Sequence, residues 1–323
     1  MTVEPRPVPS ALAEALDNLG AGRILRGVDL SEISRWRIGG RADVLLRPRS
    51  VGDLSRALAF FHTQGIPYLV IGATSNLLFA DEGLQVPCIQ IGGDFAQLDV
   101  SGPRIRADPG VWVPGLARIA MQHGLSGIVH TCGIPGTLGG LVCMNGGSQR
   151  KGIGDHVVRV TSVAPDGAVR TYTRAECGFA YRTSVFQTNG EVIAGVELAL
   201  EPDADRGALR REMLDILASR RRKFPQKLPN CGSVFVSNPA MYADYGPPGA
   251  IIEKLGFKGR RIGDAVVSPD HANFVVNASA ATARDTLALI TEIRAVVQRE
   301  TGYLMDVEAR YVAPDGRIAP AHH

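Results

Sequence analysis

The sequence predicts an α+β protein with two or three domains. Helical spacing of apolar residues alternates with short apolar, β-branched runs in the first part of the chain, and the middle part is richer in predicted strands. A length of 323 residues exceeds the usual size of a single domain. An apolar content of 45% with 21% charged residues is typical of a soluble globular protein.

The first part of the chain alternates helix and strand. Residues 53–64 carry apolar side chains at helical spacing, and Gly65 follows as a stop signal. The apolar run 68–71 predicts a strand. This alternation ends near Gly92 and Gly93.

The middle part predicts a β-hairpin, because strands at 157–163 and 168–172 flank a Pro-Asp-Gly turn at 165–167. Another apolar, β-branched run covers 192–200, and a linker is expected at 202–205.

The last part begins with an amphipathic helix that leads into a basic cluster. The predicted elements are a helix over 209–217, strands at 265–267 and 274–276, a long helix over 286–297 and a frayed tail from Pro314.

Composition argues against several classes of protein. A net charge of +3 is too small to indicate a nucleic-acid partner, and no apolar run approaches the roughly 20 residues of a membrane-spanning helix. The polar, proline-rich start of the chain does not read as a signal peptide. The five cysteines are odd in number, scattered and without a C-x-x-C pair, so we expect neither disulfides nor a metal site, and a cytoplasmic location.

Two glycine-bearing turns are the most informative segments. Residues 133–147 contain six glycines and a proline, and the turn 72–76 directly follows an apolar run. Dense glycine lets the backbone approach a ligand and leaves N–H groups free to face an anion. Neither segment is a Rossmann fingerprint or a P-loop. Together they predict a long ligand with a central diphosphate.

Seven short blocks with distinctive residues lie between Ser34 and Val312. They are Trp36–Asp43, Gly72–Leu78, Gly133–Gly140 with Met144-Asn145, Tyr181–Ser184, Gly232–Phe235, 262–272 and Glu308–Arg310. In this order they resemble the UDP-N-acetylenolpyruvoylglucosamine reductase family. The spacing of about fifty residues between Arg182 and Ser233 resembles the subgroup without an extra tyrosine-bearing substrate loop.

The resemblance implies a two-domain FAD-binding fold of the vanillyl-alcohol oxidase type, with a third α/β domain for the substrate. The expected boundaries are 1–92 and 93–203 for the two FAD-binding subdomains, 204–312 for the substrate-binding domain and 313–323 for a flexible tail.

The resemblance also implies the reaction and its partners. NADPH, as co-substrate, reduces non-covalently bound FAD, which then reduces the enolpyruvyl double bond of a nucleotide sugar in peptidoglycan synthesis. We expect a monomer or weak oligomer without nucleic-acid or membrane partners. The residues expected to contact FAD are Gly72, Ala73, Thr74, Ser75, Asn76, Gly133, Ile134, Gly136, Thr137, Gly139, Gly140 and Asn145. The two asparagines are also ordinary turn residues.

Three residues match the family's catalytic positions. Arg182 offers a planar guanidinium to a carboxylate whose charge grows during the reaction, although a structural ion pair is the alternative. Ser233 matches the proton donor, and a serine bonded to a turn is its alternative. Glu308 matches a glutamate that positions or polarises the substrate carboxyl, and it can instead pair with Arg310.

Four further residues are expected to bind substrate. Arg222 and Lys223 can contact diphosphate or NADPH phosphates, or can simply end a solvated helix. Asn238 lies in an altered family segment, and His271 can contact flavin or nicotinamide or fill a structural role.

Departures from the family pattern leave alternatives open. Ala73 and Thr74 stand where glycines are usual, and the segments 148–151 and 236–248 also differ. One alternative is a paralogue that reduces a different enolpyruvyl or nucleotide-linked substrate. Another is an oxidase with flavin linked to His130 or Cys132, and a third is a nucleotide-sugar-binding module without catalysis.

Overall fold

Helices and strands are both abundant in this computed structural model, which describes residues 9–202 and 205–322. The helices are α1 (Pro9–Asn18), α2 (Leu30–Ile33), α3 (Val51–Thr63), α4 (Val113–Gln122), α5 (Leu138–Cys143), α6 (Arg206–Lys223), α7 (Pro239–Tyr245), α8 (Pro248–Lys254) and α9 (Ala283–Thr301). The strands are β1 (Arg23–Asp29), β2 (Arg41–Arg47), β3 (Leu69–Ile71), β4 (Leu77–Phe79), β5 (Cys88–Gln90), β6 (Leu98–Ser101), β7 (Arg104–Ala107), β8 (Leu125–Ser126), β9 (Val157–Val163), β10 (Val169–Thr173), β11 (Val192–Ala199), β12 (Glu201–Pro202), β13 (Arg261–Ile262), β14 (Ala265–Val267), β15 (Val275–Asn277), β16 (Arg310–Val312) and β17 (Ile318–Pro320). The predicted α+β class is confirmed.

The chain forms two compact units that do not follow sequence order. The first unit contains residues 9–28, 43–73 and 86–218 apart from 203–204, and the second contains 29–42, 74–85 and 219–322. The domain boundaries expected from the sequence stay a prediction. The boundary between 203 and 204, within the expected linker, lies outside the described residues.

A four-stranded sheet in the first unit has the order β1-β2-β5-β3, with β5 parallel to both β2 and β3. Parallel strands need a crossover, and α3 lies between β2 and β3 along the chain. The Ser50 side chain caps α3 by accepting the Asp53 N–H, and Leu54, Leu58 and Phe61 are buried. The predicted helix and the strand after it are confirmed.

The second sheet of this unit is antiparallel, with the order β10-β9-β11-β7-β6. The predicted hairpin is confirmed, since Val163 pairs with Val169 across a turn in which Gly167 has a φ of 86°. Its inward side chains include Val160, Val196 and Leu198, which form one apolar core with residues of α4 and α5.

In the second unit, α8 and α9 pack with the antiparallel sheet β13-β14-β15 around Trp36, Phe235 and Ile290. The Trp36 indole N–H donates to the Val275 carbonyl at 2.8 Å. Thr282 and Asp285 form a capping box that starts α9. The predicted strands and the long helix of this part are confirmed.

The prediction that the chain is frayed from Pro314 onward is wrong for Ile318–Pro320, which form a strand. Strand β17 pairs antiparallel with β16, which in turn lies parallel to β4. The backbone pairing supplies order that the short, polar tail sequence does not indicate. Within the described ranges, no helix combines the length and hydropathy needed to cross a membrane.

Candidate active site

A cavity of about 260 Å³ lies in the first unit, beside two of the segments predicted to bind FAD. Its lining consists of Gly72, Ala73, Gln90, Ile91, Gly92, Gly93, Ala96, Gly110, Trp112 and Thr137. Of these, only Gly72, Ala73 and Thr137 were predicted as site residues. The doubled glycine at 92–93, interpreted only as the end of a domain, was the signal that could have extended the site.

The two glycine turns meet where Gly72 faces Thr137. A Cβ added to Gly72 would lie 2.6 Å from the Thr137 Oγ1, so this position has no room for a side chain. The same hydroxyl caps α5, where it accepts the Gly140 N–H at 3.4 Å. The sequence prediction that these turns contribute to one site is therefore supported by direct contact.

The segment 133–140 differs in detail from the expected anion cradle. It leads into α5, and the Ile134 and Gly139 N–H groups donate to Thr131 and Pro109 carbonyls at 2.9 and 2.8 Å. These amides are therefore not free to face an anion. Gly139 also packs closely, because an added Cβ would lie 3.0 Å from the Pro109 Cβ.

The cavity fits part of a dinucleotide cofactor. A Cβ added at Gly92 or Gly93 would meet no atom within 4 Å, so both glycines leave open space beside the backbone. Within the part of the chain that the structure describes, none of the lining residues carries a charged side chain, so a diphosphate would not be repelled. Ligand pockets usually span roughly 300–1,000 Å³, so this volume accommodates one portion of FAD.

We expect Gly72→Ala to weaken FAD binding by about tenfold or more, because the added methyl group overpacks the contact with Thr137. The measurement is the flavin-to-protein absorbance ratio after gel filtration, followed by titration of the apoprotein with FAD. Gly52→Ala, at an exposed position in α3, is the matched control. Full flavin retention by Gly72→Ala would contradict the assignment of this cavity.

The turn that follows β3 continues into the second unit with Thr74 in a left-handed conformation, at a φ of 54°. A β-branched residue is strained in this conformation, which glycine adopts freely. The Thr74 hydroxyl donates to the Ile33 carbonyl at 3.0 Å and accepts the Arg35 N–H at 3.1 Å, which offsets the strain. Ser75 is half-buried beside it.

The second unit brings Ser233 and Glu308 together. The Glu308 N–H donates to the carbonyl of Val234 at 2.8 Å, and Phe235 forms a β-bridge with Val307. Both side chains are half-buried. Burial raises the pKa of the Cys231 thiol, and the negative charge of Glu308 raises it further. The Glu308 carboxylate therefore lies close enough to the start of the Ser233 segment to influence it.

Two asparagine side chains hold these segments. Asn273 is buried and clasps Phe235, whose N–H donates to its Oδ1 at 2.9 Å and whose carbonyl accepts from its Nδ2 at 3.0 Å. Asn76 Nδ2 donates to the Glu308 carbonyl at 3.0 Å. Asn76 was expected to contact FAD, which stays a prediction, and its side-chain amide holds the backbone of Glu308. Asn273 was missed, although it directly follows the resemblance block 262–272.

Arg182 lies in the first unit at the tip of a tight turn, residues 180–183. Ala180 and Thr183 exchange two hydrogen bonds of 3.1 Å, and Arg182 has a left-handed φ of 56°. A residue other than glycine in this conformation costs roughly 1–3 kcal/mol, a strain that clusters at functional sites. The Asn145 side chain donates to the Ala180 carbonyl at 2.8 Å, and its expected contact with FAD stays a prediction.

The four expected substrate-binding residues have structural contacts or exposed positions. Arg222 and Lys223 are exposed in the last turn of α6, where cations complement the helix dipole. Asn238 caps α7 by accepting the Ala240 N–H at 2.9 Å. Burial lowers the pKa of His271. The centre of its ring lies 5.1 Å from the ring centre of Phe274 and 5.5 Å from that of Phe224. Their role in substrate binding stays a prediction.

The residues weighed for a covalent flavin link are both buried. His130 is 3% exposed and its Nδ1 bonds the Gly127 carbonyl at 3.0 Å, while burial lowers its pKa. Cys132 is also 3% exposed, with its Sγ 3.8 Å from the Met213 carbonyl. Neither belongs to the described lining of the cavity. These positions do not favour the oxidase alternative.

Two known families match the parts of this chain that contain the cavity and the paired Ser233 and Glu308 segments. Residues 42–173 match the FAD binding domain family, and residues 224–312 match the C-terminal domain of UDP-N-acetylenolpyruvoylglucosamine reductase. The first range contains Gly72, Thr137 and the rest of the cavity lining, and the second contains Ser233 and Glu308. The predicted FAD-binding domain and the predicted additional C-terminal domain each have a matching family.

Similar proteins carry the same description along nearly the whole chain. UDP-N-acetylenolpyruvoylglucosamine reductase 1 of Corynebacterium glutamicum is 45% identical over 98% of this chain and 94% of its own. Reductase 2 of Symbiobacterium thermophilum is 38% identical over 93% and 96%. The crystal structure of the Thermus caldophilus reductase aligns with a TM-score of 0.76 and 31% identity, covering 90% of this chain and 98% of that one. The chain therefore belongs to the UDP-N-acetylenolpyruvoylglucosamine reductase family.

Proposed function

We propose that this protein is a FAD-dependent reductase that uses NADPH to convert UDP-N-acetylglucosamine enolpyruvate to UDP-N-acetylmuramate. The observation that carries the proposal is the pairing of the Ser233 and Glu308 segments in a chain whose other unit has a cavity suited to FAD. Family membership over almost the whole chain supports the same reaction. The product is a precursor of peptidoglycan.

Bound FAD supplies hydride transfer between NADPH and the substrate alkene. Gly72, Gly92 and Gly93 leave the space beside the backbone in which part of this cofactor would be held, and Thr137 fixes the contact between the turns. The reaction adds one hydride and one proton across the carbon–carbon double bond, while NADPH is oxidised to NADP⁺.

Three side chains handle the substrate. As hydride reaches the alkene, negative charge develops on the adjacent carbon and on the carboxyl group bonded to it. The Arg182 guanidinium pairs with that carboxylate, where a planar, permanently charged donor binds best as the charge grows. The Ser233 hydroxyl donates the proton to the carbon, and a weak acid suffices because the carbanion is strongly basic. Glu308 orients the substrate carboxyl.

The finer assignments are part of this proposal. Residues 1–92 and 93–203 would bind FAD, 204–312 would bind the nucleotide sugar, and Arg222, Lys223, Asn238 and His271 would contact it. The five free thiols are compatible with a reducing cytoplasm. We expect a monomer or weak oligomer.

The decisive test is an anaerobic visible spectrum of the purified protein. NADPH is expected to bleach the flavin bands, and UDP-N-acetylglucosamine enolpyruvate is expected to restore them rapidly. Bleaching without recovery would assign the protein to a paralogue with another substrate. A protein that cannot take up FAD would overturn the proposal.

A further inference from the structure

We propose that Gln187, together with Asn145, is a positioning residue that holds the strained 180–183 turn and so sets the orientation of Arg182. This inference rests on the proposed role of Arg182 as the group that pairs with the substrate carboxylate. Neither amide is expected to touch the substrate. Each acts through the backbone of the turn.

Gln187 links Arg182 to the end of α5. Its Nε2 donates to the carbonyl of Arg182 at 2.9 Å and to the carbonyl of Cys143 at 3.0 Å. The Ser184 hydroxyl donates to the same Cys143 carbonyl at 2.6 Å. One amide group therefore uses both of its N–H bonds to join the turn to the helix terminus, where carbonyl groups lack helical partners.

Asn145 holds the other side of the turn. Its Nδ2 donates to the Ala180 carbonyl at 2.8 Å, and its Oδ1 accepts the Gly154 N–H at 2.9 Å. The amide is closely surrounded, since a Cβ added to Gly154 would lie 2.8 Å from the same Oδ1. Asn145 itself has a φ of 40°, so the backbone is left-handed at this residue as well as at Arg182. We call the Gln187 and Asn145 side chains, with their bonds to the turn, the clamp.

The clamp connects Arg182 to the flavin cavity through one short helix. Thr137 lines the cavity and caps the beginning of α5, and Cys143 at the end of α5 accepts the Gln187 bond. A misplacement of about 1 Å in a catalytic group can reduce a rate by about a hundredfold. Without the clamp, the left-handed conformation of Arg182 would lose its support, because a strained φ persists only where its surroundings impose it.

The test uses Gln187→Met, which removes both donors while keeping a side chain of similar length. Gln187→Lys retains an N–H donor and serves as the rescue variant. Gln122→Met, at an exposed position at the end of α4, is the matched control. Because Gln187 is exposed, these substitutions are expected to leave the unfolding midpoint nearly unchanged.

In stopped-flow experiments on the holoenzyme, Gln187→Met should be bleached by NADPH within about twofold of wild type. Its reoxidation by UDP-N-acetylglucosamine enolpyruvate should slow by about tenfold, whereas Gln187→Lys and Gln122→Met stay within about threefold. Asn145→Asp, which loses the donor to Ala180, should resemble Gln187→Met. Equal slowing of both half-reactions, or none, would overturn the clamp.

A second measurement does not depend on turnover. An arginine-specific protease should cleave after Arg182 about tenfold faster in Gln187→Met than in wild type or Gln122→Met, because local opening of the turn exposes the bond. Unchanged cleavage would refute the clamp even if the rate fell. If wild type itself is not reoxidised by the substrate, the proposed function fails, and the protease result still decides whether Gln187 holds the turn.

Discussion

Replacing Ser233 with alanine should leave flavin reduction by NADPH within about twofold of wild type and slow reoxidation by UDP-N-acetylglucosamine enolpyruvate by about a hundredfold or more. Proton donation by a positioned side chain contributes about 10²–10⁴ to a rate, and only the second half-reaction needs this proton. The measurement is stopped-flow absorbance of the flavin in each half-reaction under anaerobic conditions.

Ser237→Ala is the matched control, since Ser237 is an exposed serine four residues along the chain. It should be reoxidised at the wild-type rate. The segment after Ser233 is held by Asn273 through backbone bonds to Val234 and Phe235, so Ser233→Ala should keep its fold. Equal losses in both half-reactions would remove Ser233 from the proton-donor role.

Substitutions at Arg182 should change stability and activity in opposite directions. Arg182→Gly relieves the left-handed φ of 56°, and we expect the free energy of unfolding to stay equal or rise by up to about 1 kcal/mol. The same variant should lose about a hundredfold or more in reoxidation, because the substrate carboxylate loses its cation. Arg182→Lys keeps the charge but not the planar donor pair and should lose at least about tenfold.

Chemical unfolding and the two half-reactions measure these effects. Arg37→Gly, which relieves a φ of 53° at an exposed arginine, calibrates the stability change. A large loss of stability in Arg182→Gly, comparable with its loss of rate, would favour the structural ion pair over the catalytic role. Wild-type reoxidation in Arg182→Lys would contradict bidentate binding of the carboxylate.

Much of the local structure could be predicted because it depends on neighbouring residues. The helix at Val51–Thr63 follows from its apolar spacing and the glycine after it, and the hairpin at 157–173 from two strand-like runs around a Pro-Asp-Gly turn. The β17 strand was missed, since its order comes from pairing with β16 rather than from its own sequence.

For the predicted site residues too, the sequence indicated the segment but not the contacts that each residue makes. Gly72 and Thr137 were both predicted to contact FAD and both line the cavity, whereas Gly139, predicted to contact FAD as well, packs closely against Pro109. A glycine in a sequence does not say whether it serves a positive φ, close packing or open space beside the backbone. Which atom would collide with an added side chain depends on segments that are distant along the chain.

By itself, the sequence determined the fold class and the family, because these depend on short ordered blocks, and it singled out Arg182, Ser233 and Glu308 as the predicted reactive groups. Only the tertiary structure decided which amides support them. Asn76 reaches Glu308 across 232 positions, and Asn273 reaches Phe235 across 38. Such bonds leave no periodic or local pattern in a sequence, since an asparagine in a turn looks the same whether or not the fold brings a distant backbone group within hydrogen-bond distance.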